Sequence, residues 1–150
     1  MYQVMVVDDE EYILKALKRT INTYTDWEVE TYTDAATALR RARTTVFDAV
    51  ITDYRMPDMD GIEMLQELRT MQPDTIRILL TGVIDIDTLM SAINQAGAFR
   101  FVPKPWDDDQ LLESVEEGLK FRDILVENKI LAQTVRDQRE ALRSMGYDGE

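Results

Sequence analysis

The chain has 150 residues, 45% of them hydrophobic, which suffices for one domain with a buried core. Its formal net charge of −12 argues against a general nucleic-acid or phospholipid surface, because such partners require a basic footprint. The absence of cysteine and histidine excludes disulfides, thiolate chemistry, Ser-His triads and histidine-bound zinc. No apolar run approaches the roughly 20 residues of a membrane span, and there is no signal-peptide pattern, so we expect a cytoplasmic protein without a membrane segment.

Short apolar runs and helical periodicities alternate along the chain and predict five strands, each followed by a helix. The predicted strands are Val4–Val7, Trp27–Tyr32, Asp48–Thr52, Ile76–Leu80 and Phe99–Val102. The predicted helices are Glu10 to about Tyr24, one capped by Asp34, one between a cap at Asp60 and Pro73, one marked by Ile86, Leu89, Met90 and Ile93, and one capped by Asp107 or Asp108. This order predicts a doubly wound α/β fold, with a five-stranded parallel sheet and helices on both faces.

The last predicted helix is long, because no stop signal follows Asp108 until Gly146. It would span about 55 Å at roughly 1.5 Å per residue, and Gly118 is its weak point, at about 1 kcal/mol relative to alanine. An asparagine in an apolar seam favours two-stranded parallel pairing. Residues 121–150 are therefore either a coiled coil that forms a homodimer or a linker helix that packs on another domain, and residues 1–120 form the main domain. The seam consists of two heptad series, Phe121, Asn128, Val135 and Leu142 with Ile124, Leu131, Gln138 and Met145.

Polar side chains follow four of the predicted strands: Asp8 with Asp9, Asp53, Thr81 and Lys104. Because the carboxyl ends of parallel strands meet at one edge of a sheet, we expect these groups to share one crevice. Two carboxylates about 4 Å apart repel by on the order of 4 kcal/mol at an effective dielectric near 20, so a cation must offset them. Lys104 is one candidate for that cation, and a hard divalent ion such as Mg²⁺ is the other.

Such a site suits a phosphoryl group. A metal would neutralise charge on the group, Lys104 would add a point charge, and the Thr81 hydroxyl would donate a hydrogen bond. Asp53 stands alone at its strand end and is the candidate nucleophile for an aspartyl phosphate. The adjacent carboxylates of Asp8 and Asp9 are the candidate metal ligands.

On these motifs the chain resembles the response-regulator receiver domains of two-component signalling, over about residues 2 to 120. The resemblance implies a flavodoxin-like sheet of strand order 2-1-3-4-5. It implies that a sensor histidine kinase or phosphotransfer protein phosphorylates Asp53, with Mg²⁺ bound by Asp9, Asp53 and the Arg55 carbonyl and with Asp8 assisting through water. It also implies a cis Lys104–Pro105 peptide bond. The matching residues are Val6-Val7-Asp8-Asp9, Asp53 with Met56-Pro57 and Asp60-Gly61, Thr81-Gly82, and Lys104-Pro105.

The resemblance further implies a switch in which Thr81 moves toward the phosphoryl group and Phe101 rotates inward behind it. Phe101 stands where many receivers have tyrosine, so a read-out through that hydroxyl is not expected here, and ordinary core packing is the other interpretation of Phe101. The face expected to change is Val83 to Met90 together with Phe99 to Trp106.

Arg77 to Gly82 and Phe99 to Leu111 are similar to receivers that precede HD-GYP phosphodiesterase domains or belong to hydrogenase-type transcriptional regulators. Such receivers continue into a long signalling helix, so we expect an output domain or a separate effector downstream. The expected activity is limited to the chain's own phosphorylation and dephosphorylation. A receiver fold that acts without phosphorylation as an interaction module is the alternative. A haloacid-dehalogenase-type phosphatase is disfavoured, because Arg55 occupies the position of its general acid.

Overall fold

The computed structural model describes residues 1–82 and 85–146. Its centre is a five-stranded parallel sheet of order β2-β1-β3-β4-β5, which confirms the predicted fold. The strands are β1 (Gln3–Val7), β2 (Glu28–Tyr32), β3 (Ala49–Asp53), β4 (Ile76–Thr81) and β5 (Arg100–Pro103). The helices are α1 (Glu11–Tyr24), α2 (Ala35–Ala42), α3 (Gly61–Met71), α4 (Ile86–Asn94) and α5 (Asp108–Ser144).

Burial on both faces of the sheet explains why its central strands are continuous apolar runs. Every residue of β3 is buried, and β1 pairs with it so that Val6 lies opposite Ile51. Successive side chains point to opposite faces. Val50 joins a core cluster with residues of α2, α3 and α4, whereas Ile51 joins a second cluster with residues of α1 and α5. The outer strands β2 and β5 are only partly buried, as sheet edges usually are.

Aspartate caps fix where four of the helices begin. The Asp34 carboxylate accepts a hydrogen bond from the Thr37 N–H at 2.8 Å, which confirms the predicted cap of α2. Asp60 and Asp85 cap α3 and α4 in the same way. Of the two candidates for α5, the cap is Asp107. These caps set the loops that lead from the strand ends into the helices.

Three of the four apolar residues that marked α4 in the sequence lie on its exposed side, and the fourth, Leu89, is half-buried. Ile86 is 75% exposed, and Met90 and Ile93 are also exposed, whereas the buried residue of the helix is Ala92. A hydrophobic stripe predicts an amphipathic helix but does not say which side the protein covers. In α4 the small residue packs on the sheet and the large ones lie on the outer surface.

The long helix predicted at the C-terminus is confirmed as α5, which has 37 residues. Its first part packs on the sheet through Leu111, Val115 and Leu119. Gly118 is a close-packing position in this contact, because an added Cβ would lie 2.6 Å from Cγ2 of Ile76. From 127 to 146 every residue is exposed. No helix in the described ranges combines the length and hydrophobicity needed to cross a membrane.

Ionic contacts hold the middle of α5 against the edge of the sheet at which the strands begin. Arg122 contacts the carboxylate of Asp48 at 3.0 Å, and the same carboxylate accepts a hydrogen bond from the Gln3 N–H at 2.7 Å. The Tyr2 hydroxyl donates to Asp123, and Lys129 pairs with Asp74. The helix therefore leaves the domain at the edge opposite the strand ends that carry the polar groups.

Candidate functional site

The polar groups that follow the strands lie together at the carboxyl edge of the sheet. Asp53 and Thr81 are the last residues of β3 and β4, Asp8 directly follows β1, and Lys104 directly follows β5. The parallel register holds these ends level, because Asp53 pairs with Leu80 and Thr81 pairs with Pro103. The Lys104 N–H also donates to the Thr81 carbonyl at 2.8 Å. The fold therefore brings one group from each of four strands into one crevice.

Three carboxylates converge in this crevice. Asp8, Asp9 and Asp53 each offer an oxygen atom, and these three atoms lie within 4.8 Å of one another. Asp8 is fully buried and Asp53 is 8% exposed, whereas Asp9 is exposed to solvent. Oδ1 of Asp8 accepts a hydrogen bond from the Glu10 N–H at 2.9 Å. This bond holds the Asp8 carboxylate in the protein interior, whereas Asp9 and Asp53 lie at the opening of the crevice.

The Lys104 ammonium lies between two of these carboxylates. Its Nζ is 2.8 Å from Oδ2 of Asp8 and 3.1 Å from Oδ1 of Asp53, and its side chain is 20% exposed. The peptide bond from Lys104 to Pro105 is cis, as the resemblance implied. Three carboxylates and one ammonium leave a formal charge of −2, from −3 and +1, on this small cluster.

Burial and pairing act differently on the two partners of this ion pair. Burial raises the pKa of the Asp53 carboxyl, and the nearby Asp8 charge adds to that effect, although Lys104 and the Tyr54 N–H act in the opposite direction. Burial alone would lower the pKa of Lys104, but its bonds to Asp8 and Asp53 outweigh burial and raise that pKa. The positive charge of the ammonium is therefore well compensated by Asp8 and Asp53, whereas the negative charge of Asp53 is not fully compensated.

A cavity of about 410 Å³ opens over Asp53. Thr81, which is buried, and Arg55, which is exposed, contribute to its wall. The opening leaves room for a small polar ligand beside the carboxylates. The cavity is lined by Asp9, Glu10, Asp53, Tyr54, Arg55, Thr81, Gly82 and Lys104.

The donor set fits a hard divalent cation. Mg²⁺ prefers oxygen ligands and keeps several waters, which suits carboxylates at the open side of a cavity. Its charge of +2 would balance the formal −2 of the cluster, which includes the undercompensated negative charge of Asp53. The residues present here therefore satisfy both the chemistry and the charge that a magnesium site requires.

The aromatic residue of the expected switch lies on the core beside the site. Phe101 is half-buried and packs against the cluster that includes Met56 and Tyr54 at its margin. This position is compatible both with the expected rotation and with ordinary core packing. Of the expected switch face, Val83 lies outside the described residues, and Met90 is exposed on α4.

Two contacts at Asp53 were not found by reasoning from the sequence. The Thr52 hydroxyl donates to the Asp53 carbonyl oxygen at 3.1 Å, and a Cβ added to Gly61 would lie 2.1 Å from the same oxygen. From the sequence, Gly61 is a turn residue and Thr52 a strand residue. Neither pattern reveals that Thr52 bonds to the Asp53 carbonyl or that Gly61 leaves no room for a side chain beside it, because both depend on how the loop returns to the strand.

Comparison with known proteins identifies the family. Residues 4–116 match the family model of the response regulator receiver domain. The hydrogenase transcriptional regulatory protein HoxA of Bradyrhizobium diazoefficiens is 31% identical over 118 residues, which are 79% of this chain and 24% of that protein. The transcriptional regulatory protein FixJ of Rhizobium meliloti is 34% identical over 117 residues, which are 78% of this chain and 56% of that protein. The chain thus spans between about a quarter and about half of these relatives.

Solved structures agree with the family match. The signal receiver domain of an HD domain-containing protein from Pseudomonas fluorescens Pf-5 superposes with a TM-score of 0.77 and 32% identity, over 81% of this chain and 97% of that one. A structure described as adenylate cyclase from Rhodopirellula baltica gives a TM-score of 0.82 and 31% identity, over 88% and 97%. The predicted similarity to hydrogenase-type and HD-type regulators is confirmed. Because the family model covers more than half of its length, the chain belongs to the family of response regulator receiver domains.

Proposed function

We propose that this chain is a cytoplasmic signalling switch that accepts a phosphoryl group on Asp53. The observation that carries the proposal is the position of Asp53, at the mouth of a cavity, 3.1 Å from Lys104 and clustered with Asp8 and Asp9. Receiver domains of response regulators are regulatory modules, which agrees with a site that combines a candidate nucleophile with a nearby compensating charge.

In the proposed reaction an oxygen atom of Asp53 forms a bond to phosphorus, while the bond from phosphorus to the donor's imidazole nitrogen breaks. The electron pair of the broken bond stays on the imidazole of the kinase or phosphotransfer protein. Lys104 lies where its charge can stabilise the phosphoryl oxygens, and the Thr81 hydroxyl can donate to them. Mg²⁺ held by Asp9, Asp53 and the Arg55 carbonyl, with Asp8 assisting, would neutralise charge on the transferred group.

The phosphoryl group would bring about two negative charges into the crevice. Forming the acyl phosphate removes the charge of the Asp53 carboxylate, so Lys104 would exchange that partner for the phosphoryl oxygens and keep its contact with Asp8. Because β4 ends at Thr81 and β5 ends just before Lys104, both residues can transmit a displacement to these strands. The change would favour a second arrangement of α4, β5 and the start of α5, with Phe101 turned inward. An output domain or a separate effector would read that face.

Beryllofluoride, a phosphoryl mimic, tests the proposal when it is added with Mg²⁺. Trp106 should report binding, because it lies two residues from Lys104 and its indole N–H donates to Asp108 at 3.0 Å. We expect a change of tryptophan fluorescence in the wild type and none in Asp53→Asn. A Trp106→Phe variant assigns the signal, since Trp27 is the other tryptophan of the chain. An unchanged wild type, or an equal response in Asp53→Asn, would reject the switch.

The exposed seam of α5 supports a second proposal, that the chain forms a parallel homodimer through this helix. Leu131 is 55% exposed and Met145 is 72% exposed, although both are apolar. Counted round the helix, the heptad series lies roughly 120–180° from the residues that pack on the sheet. The first seam residue, Phe121, packs its ring on Phe99 of the receiver body, with the ring centroids 5.5 Å apart. The rest of the seam faces away from the receiver body and can meet the same seam of a second copy, with Asn128 favouring two parallel strands.

A matched pair of variants tests the dimer. Leu131 lies in the seam, and its neighbour Ile130 is 62% exposed but lies outside it. We expect Leu131→Glu to sediment as a monomer and Ile130→Glu to remain dimeric. A monomeric wild type, or equal dissociation in both variants, contradicts the dimer. Dimerisation that is independent of Asp53 and beryllofluoride would favour the alternative function, an interaction module that acts without phosphorylation.

A further inference from the structure

The peptide group of Asp53 is held from the strand side by a buried hydroxyl. Thr52 is fully buried, and its hydroxyl donates to the carbonyl oxygen of Asp53 at 3.1 Å. A buried hydroxyl must find an acceptor, because leaving it unpaired is costly. The nearer of its two acceptors is the backbone of the proposed phosphoacceptor, and the Met56 sulfur, at 4.0 Å, is the weaker one. Thr52 therefore restrains the orientation of the peptide that follows Asp53.

The same carbonyl is confined from the helix side by Gly61. The Gly61 N–H donates to the Tyr54 carbonyl at 2.8 Å, which closes the loop from β3 back onto the start of α3. A Cβ at Gly61 would lie 2.1 Å from the Asp53 oxygen, 3.0 Å from its carbonyl carbon and 3.1 Å from Cδ1 of Leu79. The nearest atoms belong to backbone, so no rotamer change relieves the contact. Either the loop or the Asp53 peptide must shift by roughly an ångström.

We propose that Thr52 and Gly61 are positioning residues for phosphorylation. They restrain the Asp53 peptide so that the Asp53 carboxylate and the Arg55 carbonyl can bind the same Mg²⁺ ion. The inference rests on the proposed function. The Asp53 carboxylate is attached to the clamped residue itself, and Arg55 follows two residues later in the loop that Gly61 closes. A shift of this peptide moves two of the proposed Mg²⁺ ligands at once. Misplacement by about 1 Å can reduce a reaction rate by as much as about 100-fold.

The test compares Gly61→Ala and Thr52→Val with a matched control, Gly118→Ala. Gly118 is also tightly packed, with Ile76 Cγ2 at 2.6 Å from an added Cβ, but it lies at the opposite end of the sheet. Each variant is labelled with acetyl phosphate across a series of Mg²⁺ concentrations, and circular dichroism establishes that it is folded. We expect the Mg²⁺ midpoint to rise at least about 10-fold in Gly61→Ala and about threefold in Thr52→Val, and to stay unchanged in Gly118→Ala.

The Mg²⁺ midpoint separates positioning from stability, because a variant that is merely less stable keeps its midpoint while it is folded. A folded Gly61→Ala with a wild-type midpoint overturns the inference. If Gly61→Ala does not fold, Thr52→Val decides, and a wild-type midpoint there also overturns it. Failure of the proposed function looks different: the wild type itself would then show no Mg²⁺-dependent labelling.

Discussion

Replacing Lys104 by methionine tests how the acidic cluster is stabilised in the absence of metal. The ammonium is 2.8 Å from Asp8 and 3.1 Å from Asp53, and each contact is worth roughly 5–6 kcal/mol before desolvation at an effective dielectric near 20. Desolvation of all three groups offsets most of this energy. Breaking one side of a buried pair costs about 3–5 kcal/mol, and the 20% exposure of Lys104 places the expected loss toward the lower end, at about 2–4 kcal/mol.

The assay is urea unfolding followed by circular dichroism at neutral pH, with EDTA and then with Mg²⁺. The control is Arg100→Met, which removes a pair with Glu117 at 2.7 Å in which both side chains are nearly half exposed. Such a pair contributes about 1 kcal/mol or less. We expect Mg²⁺ to restore part of the loss in Lys104→Met, because bound ligand stabilises the folded state by about 2.7 kcal/mol at 100 times its Kd. The reasoning is refuted if Lys104→Met loses no more than Arg100→Met, or if Mg²⁺ restores nothing.

The same ion pair has a defined pH dependence. The pKa of Lys104 is raised in the folded state, so its stabilising contribution is fully present below its unfolded pKa of about 10.4. The contribution is lost as the pH rises through the higher folded pKa. Wild-type unfolding free energy should therefore fall above about pH 10 more steeply than that of Lys104→Met, as urea titrations at a series of pH values would measure.

Three further predictions concern stability in the absence of Mg²⁺. Asp53→Asn should raise the Tm, because burial disfavours the charged carboxyl, and a lower Tm would show that its pair with Lys104 prevails. Gln72→Met should lower the unfolding free energy by about 2–4 kcal/mol in urea titrations. The reason is that the buried side-chain amide of Gln72 accepts a hydrogen bond from the Phe47 N–H and donates to two backbone carbonyls. A loss smaller than that of a surface substitution would contradict this prediction. Asp34→Ala should cost about 1 kcal/mol. Hydrogen bonds from the backbone N–H and the hydroxyl of Thr37 lower the pKa of Asp34 in the folded state. The stabilisation by this cap should therefore be present above about pH 4 and be lost as the pH falls through the folded pKa. A difference in unfolding free energy between wild type and Asp34→Ala that persists in acid would contradict this prediction.

The sheet and the convergence of its polar strand ends could be predicted because they depend on order along the chain. Alternating strand and helix patterns leave few topologies, and parallel strands bring their carboxyl ends to one edge. Asp8, Asp53, Thr81 and Lys104 each stand at such an end, so their meeting follows from the fold.

Other features depend on distances that the sequence does not contain. Helix propensity marks Gly118 as a weak point, whereas the structure uses it for close approach of α5 to Ile76. A turn pattern likewise does not show that a side chain at Gly61 would collide with the Asp53 carbonyl. The periodicity of α4 indicated an apolar stripe, but only packing shows that Ile86 lies on its exposed side. Local patterns predict elements, and the contacts between elements require coordinates.

The central claim is that Asp53 accepts phosphate with the help of a divalent ion held by its acidic neighbours. Peptide mapping by mass spectrometry after treatment with acetyl phosphate, with Mg²⁺ and with EDTA, measures this directly. The account predicts one phosphoryl group on the peptide that contains Asp53, present with Mg²⁺ and absent with EDTA or in Asp53→Asn. Labelling at another residue, or equal labelling of Asp53 in EDTA, would contradict it.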